Sequence, residues 1–128
     1  MIVVDASVLV DLVLATGSEA DRIGSRILQE DELAAPHLVD AEVGQVLRRA
    51  LLRRVIKGWR AELALERLAA LRLTRHEHLR FLPRALELRE NLTVYDALYL
   101  ALAEALQAQL LTRDRAVAEA AGPYGELI

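Results

Sequence analysis

Two aspartates lie just past the ends of short apolar runs, the position at which a parallel sheet presents residues for binding and catalysis. Asp5 comes after residues 1–4, and Asp114 lies just past residues 109–112. Runs of this kind predict buried strands. Because ligands of open α/β sheets bind beyond the carboxyl ends of the strands, both acids are candidates for one binding crevice. Each aspartate could instead serve as the N-cap of a following helix, which is the commoner role of an isolated Asp.

A third acid, Asp96, lies near the start of an almost wholly apolar segment, which is typical of a helix inside a domain. A carboxylate in such surroundings needs a backbone amine, a cationic side chain or a bound metal as its partner. Thr93 and Asp96 also fit a capping box. Taken alone, this aspartate therefore supports a capping role and a functional role about equally.

Glu42 is the fourth acid, in a helix predicted over residues 38–57, on a polar stripe beside the buried one. For a lone Glu, an ordinary solvated helix face is the better explanation. Asp40 is adjacent and is either a cap or a rival for the role of Glu42. Arg49 and Arg53 continue the same stripe, so they are candidates for contacts with a phosphate backbone.

Together, the four carboxylates favour metal-assisted chemistry. Carboxylates that converge on one crevice repel one another unless cations neutralise them. The chain has no cysteine, and the spacing of His76-Glu77-His78 matches neither an HExxH helix nor a zinc finger, so this cluster is only a weak candidate for a metal site. Hard oxygen ligands favour Mg²⁺ or Mn²⁺. The reaction that fits best is hydrolysis of a phosphodiester bond by metal-activated water.

The elements that must position these acids alternate as strand, helix, strand and helix. This order predicts an α/β fold with a central parallel sheet and helices on both sides. We expect residues 1–128 to form a single domain. Strands are predicted at residues 1–4, 33–36, 71–74, 109–112 and 127–128; helices at 7–14, 20–30, 38–57 (capped by Gly58), 59–70, 83–90 (capped by Asn91), within the apolar segment 94–109, and at 117–121.

The composition of the chain restricts the kinds of partner that the protein is expected to bind. A net charge of −3 argues against binding nucleic acid through attraction over the whole surface, although a local basic path remains open. Aromatic residues make up 4% of the chain, too few for a base-stacking platform. No apolar run spans a membrane and no signal peptide is evident, so we expect a soluble, cytoplasmic protein without a membrane partner.

Four short motifs follow one another at a characteristic spacing. They are Val4-Asp5-Ala6-Ser7; Glu42-Val43 with Val46-Leu47; Tyr95-Asp96-Ala97-Leu98-Tyr99 with its apolar continuation to Glu104; and Leu111-Thr112-Arg113-Asp114. In this order they resemble the PIN-domain ribonucleases of the VapC toxin type. The resemblance covers the chain from end to end. It implies a three-layer PIN-like fold.

The resemblance also implies a function and the residues that perform it. Asp5, Glu42, Asp96 and Asp114 would form the catalytic, metal-binding quartet of a Mg²⁺- or Mn²⁺-dependent endoribonuclease, with Ser7 and Thr112 as polar support. Such toxins form homodimers, act on RNA and are inhibited by a cognate VapB-like antitoxin. Ala116 and Val117 add no acid after Asp114, which favours one firmly bound metal over two.

Two other functions remain open at this point. A phospho-acceptor signalling domain has a similar size, but it needs paired acids after its first strand and a late lysine, whereas the single lysine here is Lys57 in mid-chain. A PIN-like fold that has lost catalysis and serves only as a binding module is the second alternative. The presence of all four acids argues against it.

Overall fold

A parallel five-stranded sheet forms the centre of the computed structural model, which describes residues 1–15 and 17–128. The strand order is β3-β2-β1-β4-β5, and all neighbouring strands run parallel. β1 and β2 are buried along their whole length, as expected where both faces of a sheet are covered. The strands are β1 (Ile2–Val4), β2 (Leu33–Pro36), β3 (Leu73–His76), β4 (Gln109–Thr112) and β5 (Gly125–Leu127).

Helices cover both faces of the sheet and complete the predicted three-layer α/β fold. One group packs around α1, which contacts α2, α3 and α4, while α6 packs on β1, β2 and β4 and on α5. The helices are α1 (Ala6–Leu14), α2 (Gly17–Ile27), α3 (Leu38–Leu52), α4 (Gly58–Ala70), α5 (Leu82–Glu87), α6 (Val94–Leu106) and α7 (Arg115–Ala121).

The strand order creates a switch point at β1. The chain leaves β1 for β2 on one side, and β4 later pairs with β1 on the other side, in the register Val4 to Leu111. The backbone N–H of Asp5 continues this pairing by donating to the carbonyl of Leu111 at 3.2 Å. Asp5 and the segment after β4 therefore lie side by side at the carboxyl edge, where ligands of open sheets bind.

Helix α6, which carries Asp96, is buried through its central part. Its residues from Ala97 to Ala103 are all buried, which confirms that this apolar segment lies inside the domain. The hydroxyl of Thr93 accepts a hydrogen bond from the backbone N–H of Asp96 at 3.2 Å, so Thr93 is the predicted N-cap. An internal helix with a fixed start holds Asp96 in a defined position.

The third helix is shorter than the sequence predicted. It ends at Leu52, Arg54 adopts a positive φ of 57°, and the N–H of Val55 turns back to the carbonyl of Ala50. Gly58 starts the next helix and is not the C-terminal cap of α3. The prediction relied on Gly58 as the cap, but the backbone leaves the helix earlier, at Arg53 and Arg54.

Other boundaries moved by two or three residues. The third strand starts at Leu73 and not at residue 71, because the N–H of Leu71 still bonds to carbonyls of α4. The helix after Pro83 ends at Glu87, and Asn91 is not among the left-handed residues of the described chain. None of the helices within residues 1–15 and 17–128 is long and apolar enough to cross a membrane.

The edge strand β5 approaches α7 so closely that only glycine fits. A Cβ built on Gly125 would lie 2.1 Å from the carbonyl oxygen of Ala118. We expect Gly125→Ala to lower the free energy of unfolding by about 2 kcal/mol, because the backbone must shift to relieve the clash. Urea unfolding monitored by circular dichroism measures the effect.

Gly44→Ala is the matched control, since a Cβ on Gly44 in α3 meets no heavy atom within 4 Å. This variant should raise the free energy of unfolding by ~0.5–1 kcal/mol, because alanine loses less backbone entropy in a helix. Equal stabilities for the Gly125 variant and the unsubstituted protein would contradict the packing of β5 on α7.

Candidate active site

The structure brings the four predicted acids to a single cleft at the carboxyl edge of the sheet. Asp5, Glu42, Asp96 and Asp114 all line this cleft, whose volume is about 260 Å³. They come from the β1–α1 junction, α3, the first turn of α6 and the β4–α7 junction. The alternation of strands and helices along the chain predicted that these four acids would meet at one crevice. Their role in catalysis stays a prediction.

The supporting residues divide between the cleft and its floor. Ser7 and Arg49 line the cleft with the acids. Thr112 is completely buried behind it. Arg53 lines a neighbouring groove that shares Arg49, so the two arginines lead away from the acids along α3.

Asp5 is the most restrained carboxylate of the four. Its residue exposure is 9%, and its Oδ1 accepts hydrogen bonds from the Ser7 hydroxyl at 2.5 Å and the Val8 N–H at 3.2 Å. Its Oδ2 accepts a hydrogen bond from the Thr112 hydroxyl. Asp5 also caps α1. The side chain is thus fixed at both oxygens.

The same two hydroxyls fix the segment that follows β4. The Ser7 hydroxyl accepts a hydrogen bond from the N–H of Arg113 at 3.0 Å, and the Thr112 hydroxyl accepts one from the N–H of Asp114 at 3.0 Å. Each hydroxyl therefore donates to Asp5 and accepts from the β4–α7 junction. Ser7 and Thr112 thus connect Asp5 to the β4–α7 junction, while the supporting role that the resemblance implies for them stays a prediction.

Asp114 is a helix cap and a cleft residue at once. Its Oδ1 accepts hydrogen bonds from the N–H groups of Ala116 at 2.9 Å and Val117 at 3.2 Å. Both bonds use the same oxygen, so Oδ2 is directed elsewhere. The capping explanation of this aspartate is correct, and it does not compete with a position in the cleft.

Glu42, and not its neighbour Asp40, belongs to the cleft. Asp40 forms a two-pronged ion pair with Arg75, at 2.6 and 2.9 Å, which holds it away from the acids. Glu42 Oε1 accepts a hydrogen bond from the hydroxyl of Tyr99 at 2.7 Å. The sequence reasoning missed Tyr99 as a cleft residue, although its spacing of three from Asp96 places both on one face of α6.

The histidine cluster near α3 has a structural role. His78 Nε2 accepts a hydrogen bond from the N–H of Leu38 at 2.9 Å, at the start of α3. A nitrogen engaged in this way has no lone pair left for a metal. The weak metal-ligand reading of His76-Glu77-His78 therefore finds no support in the geometry.

Burial and the charges of neighbouring carboxylates raise the pKa of Asp96 and Glu42. Burial, and then the charges of Asp114 and Asp5, raise the pKa of Asp96. Burial, and then the charges of Asp96 and Asp5, raise the pKa of Glu42, against the lowering effect of the Tyr99 hydrogen bond. Burial raises the pKa of Asp5. The cleft therefore favours a neutralising cation.

The donor set fits a hard divalent cation. Within residues 1–15 and 17–128, no three Asp, Glu, His or Cys side chains form a ready-made metal cage. Mg²⁺ needs no such cage, since it keeps several waters and binds through one or two carboxylates together with substrate phosphates. Oxygen donors without thiolate or free imidazole suit Mg²⁺ or Mn²⁺.

Comparison with known proteins identifies the family. The family model of the PIN domain matches residues 2–123. The chain belongs to the PIN-domain family. Ribonuclease VapC1 of Mycobacterium tuberculosis is 45% identical over 121 residues, which cover 94% of this chain and 90% of that protein. The predicted resemblance to VapC-type PIN domains is therefore confirmed.

Solved structures agree with this assignment. The PAE2754 protein of Pyrobaculum aerophilum superposes with a TM-score of 0.66 at 27% identity, covering 92% of this chain and 77% of that one. A toxin–antitoxin complex from Klebsiella pneumoniae gives a TM-score of 0.63 at 20% identity, over 89% and 87% of the two chains. The second similarity concerns the fold alone, which is that of a PIN domain.

The raised pKa values predict an unusual pH dependence of stability. A carboxyl group whose pKa is higher in the folded protein destabilises the fold while it is ionised, and this penalty disappears as pH falls towards the unfolded value near 4. With divalent cations removed, Asp96→Asn should be more stable than the unsubstituted PIN domain at about pH 8, on the order of 0.5 kcal/mol after allowance for solvent screening. This difference should shrink towards about pH 4.

Glu30→Gln is the control of opposite sign. The N-terminal amine, and then Arg26, lower the pKa of Glu30, so this variant should be less stable than the unsubstituted domain at neutral pH. That deficit should also decline on acidification. Urea unfolding in EDTA across this pH range measures both. An Asp96→Asn domain that is less stable than the parent at high pH would contradict repulsion in the cleft.

Proposed function

We propose that this PIN domain is the endoribonuclease toxin of a toxin–antitoxin pair and hydrolyses phosphodiester bonds in RNA. One observation carries the proposal: four carboxylates from separate elements line one cleft in a chain that is 45% identical to Ribonuclease VapC1. We treat residues 1–128 as one domain, which the single core cluster running from Ile2 to Ala121 supports.

Asp5, Glu42, Asp96 and Asp114 would hold Mg²⁺ or Mn²⁺ in the cleft. When bound, such an ion supplies a Lewis acid that polarises a phosphoryl oxygen and makes water a nucleophile near neutral pH. Burial, and then repulsion by neighbouring carboxylates, raise the pKa of Asp96 and Glu42 in the free domain. The same repulsion would favour binding of a divalent cation, since the ion neutralises it.

Hydrolysis needs a fixed scissile phosphate and a route for the RNA backbone. The water oxygen bonds to phosphorus, the bond to one ribose oxygen breaks, and that oxygen takes up a proton. Asp5 is held at both oxygens, so it cannot move with the substrate. Arg49 is the basic residue in the cleft lining, and Arg53 follows it along α3, which gives phosphates next to the cut site cationic partners.

The two alternative functions fit the geometry less well. A phospho-acceptor domain needs a lysine beside its acids to neutralise the acyl phosphate, whereas Lys57 lies at the N-cap of α4 and is not among the residues that line the cleft. A binding module without catalysis would have no need to keep four repelling acids in one cleft. Loss of repulsion would stabilise such a module, so the retained acids favour an enzyme.

We further propose an antitoxin partner and a homodimer. A structure titled as a toxin–antitoxin complex shares the fold, and the acidic cleft offers a binding place for a cationic antitoxin segment of the VapB type. Leu52, Val55 and Trp59, which are 66%, 70% and 61% exposed around the α3–α4 turn, suit an interface between two copies. A toxin acting on cellular RNA would work in the cytoplasm.

Cleavage of RNA with Mg²⁺ tests the proposed function. We expect activity that EDTA abolishes, and a loss of kcat/KM of roughly a hundredfold or more in Asp96→Asn and Glu42→Gln, because charge stabilisation in the transition state is lost. Asp40→Asn is the matched control on α3, since Arg75 holds Asp40 outside the cleft. Activity that survives in Asp96→Asn, or that falls as far in Asp40→Asn, would refute the site.

The arginines can be tested separately by the salt dependence of RNA binding. In the inactive Asp96→Asn background, Arg49→Ala should weaken binding and reduce the slope of log K against log salt by about 0.7, the value for one phosphate contact on a single strand. Arg53→Ala should act in the same direction. Arg72→Ala removes an equal charge at a different groove, beside Asp31 and Leu33, and should leave the slope unchanged. Equal slopes in all variants would remove Arg49 and Arg53 from the RNA path.

A further inference from the structure

Tyr99 is a buried residue whose only polar side-chain atom faces the acidic cleft. The residue is 1% exposed and is among the largest fully buried side chains of the described chain. It lies on α6 three residues after Asp96, so both side chains are on one face of the helix. Its hydroxyl donates to Glu42 Oε1 at 2.7 Å.

This hydrogen bond connects opposite walls of the cleft. Tyr99 belongs to the internal helix α6, whereas Glu42 is on α3. The two residues are 57 positions apart in the sequence. Burial, and then the hydrogen bond to Glu42, raise the pKa of Tyr99, so the phenol stays protonated and remains a donor. The bond occupies Oε1 of Glu42, and Oε2 accepts no hydrogen bond from the described residues.

Glu42 needs such an anchor because its neighbours repel it. Asp96 and Asp5 both act on Glu42 as like charges. A half-buried glutamate without a partner would turn its carboxylate towards solvent and away from the other acids. A phenylalanine would fill the space of Tyr99 equally well, so the hydroxyl is present for the bond and not for packing.

We propose that Tyr99 is a positioning residue whose hydroxyl holds Glu42 at the cleft with one oxygen free, and so pre-organises the acids for a divalent cation. The inference rests on the proposed function, because it assumes that Glu42 helps to hold the ion. Partners that orient a ligating side chain commonly contribute ten- to a hundredfold to metal affinity or activity. Tyr99 would act on the ion only through Glu42.

Binding of Mn²⁺ without RNA provides the test. Isothermal titration calorimetry with MnCl₂ should show roughly tenfold weaker binding by Tyr99→Phe than by the unsubstituted domain. Tyr95→Phe makes the same chemical change on the same helix at a residue that is 66% exposed, and it should bind Mn²⁺ normally. Thermal unfolding of each variant in EDTA establishes that it is folded.

A double-mutant cycle separates positioning from a general effect on structure. If Tyr99 acts through Glu42, the Tyr99→Phe/Glu42→Gln double variant should bind Mn²⁺ as Glu42→Gln does, with no further loss. Should Tyr99→Phe fail to fold, Glu42→Asp replaces it, since the shorter side chain breaks the same hydrogen bond and keeps the charge. Glu42→Asp should then lose roughly the same tenfold in affinity.

Three results would overturn the proposal. They are normal Mn²⁺ binding by folded Tyr99→Phe, an equal loss from Tyr99→Phe in the presence and absence of Glu42, and no Mn²⁺ binding by the unsubstituted domain. RNA cleavage by the same preparations tests the proposed function separately. A domain that binds Mn²⁺ with the expected coupling but cuts no RNA would retain the role of Tyr99 and refute the nuclease.

Discussion

The mutual repulsion of carboxylates at one edge of the sheet is the constraint on which the rest of this structure depends. Asp96 experiences the charges of Asp114 and Asp5, and Glu42 those of Asp96 and Asp5. A flexible chain would separate such groups. Here they are attached to rigid elements, above all to α6, whose residues from Ala97 to Ala103 are buried. The packing of the core holds the carboxylates close together against their repulsion. Binding of a cation would reduce that repulsion.

In this fold, aspartates at the starts of three helices are also residues of the cleft. Asp5 caps α1, Asp114 caps α7, and Asp96 lies in the first turn of α6. The amino termini of three helices therefore point at the cleft, where their partial positive charges favour carboxylates. Because a cap fixes its side chain against backbone N–H groups, the helices also fix the direction of the acids. The two explanations that were open for each aspartate from its sequence are compatible.

The sequence predicted the sheet and the convergence of the acids because both follow from short-range patterns. Apolar runs ended by an acid marked β1 and β4, and the strand–helix alternation fixed their parallel order. The predicted end of α3 was wrong because Gly58 was taken as a C-terminal cap, whereas the backbone turns out of the helix at Arg53 and Arg54 and Gly58 begins α4. The bond from Tyr99 to Glu42 was missed because it joins α6 to α3 in space, and no local pattern records such a contact.

The central claim is that the four acids form one cation site, and anomalous diffraction from crystals of the PIN domain soaked in MnCl₂ tests it most directly. The account predicts an anomalous peak in the cleft, within ligand distance of one or two of the carboxylates of Asp5, Glu42, Asp96 and Asp114, directly or through water. The peak should be absent from crystals of Asp96→Asn. A strong peak elsewhere on the protein with none in the cleft, or a cleft peak unchanged in Asp96→Asn, would contradict the account.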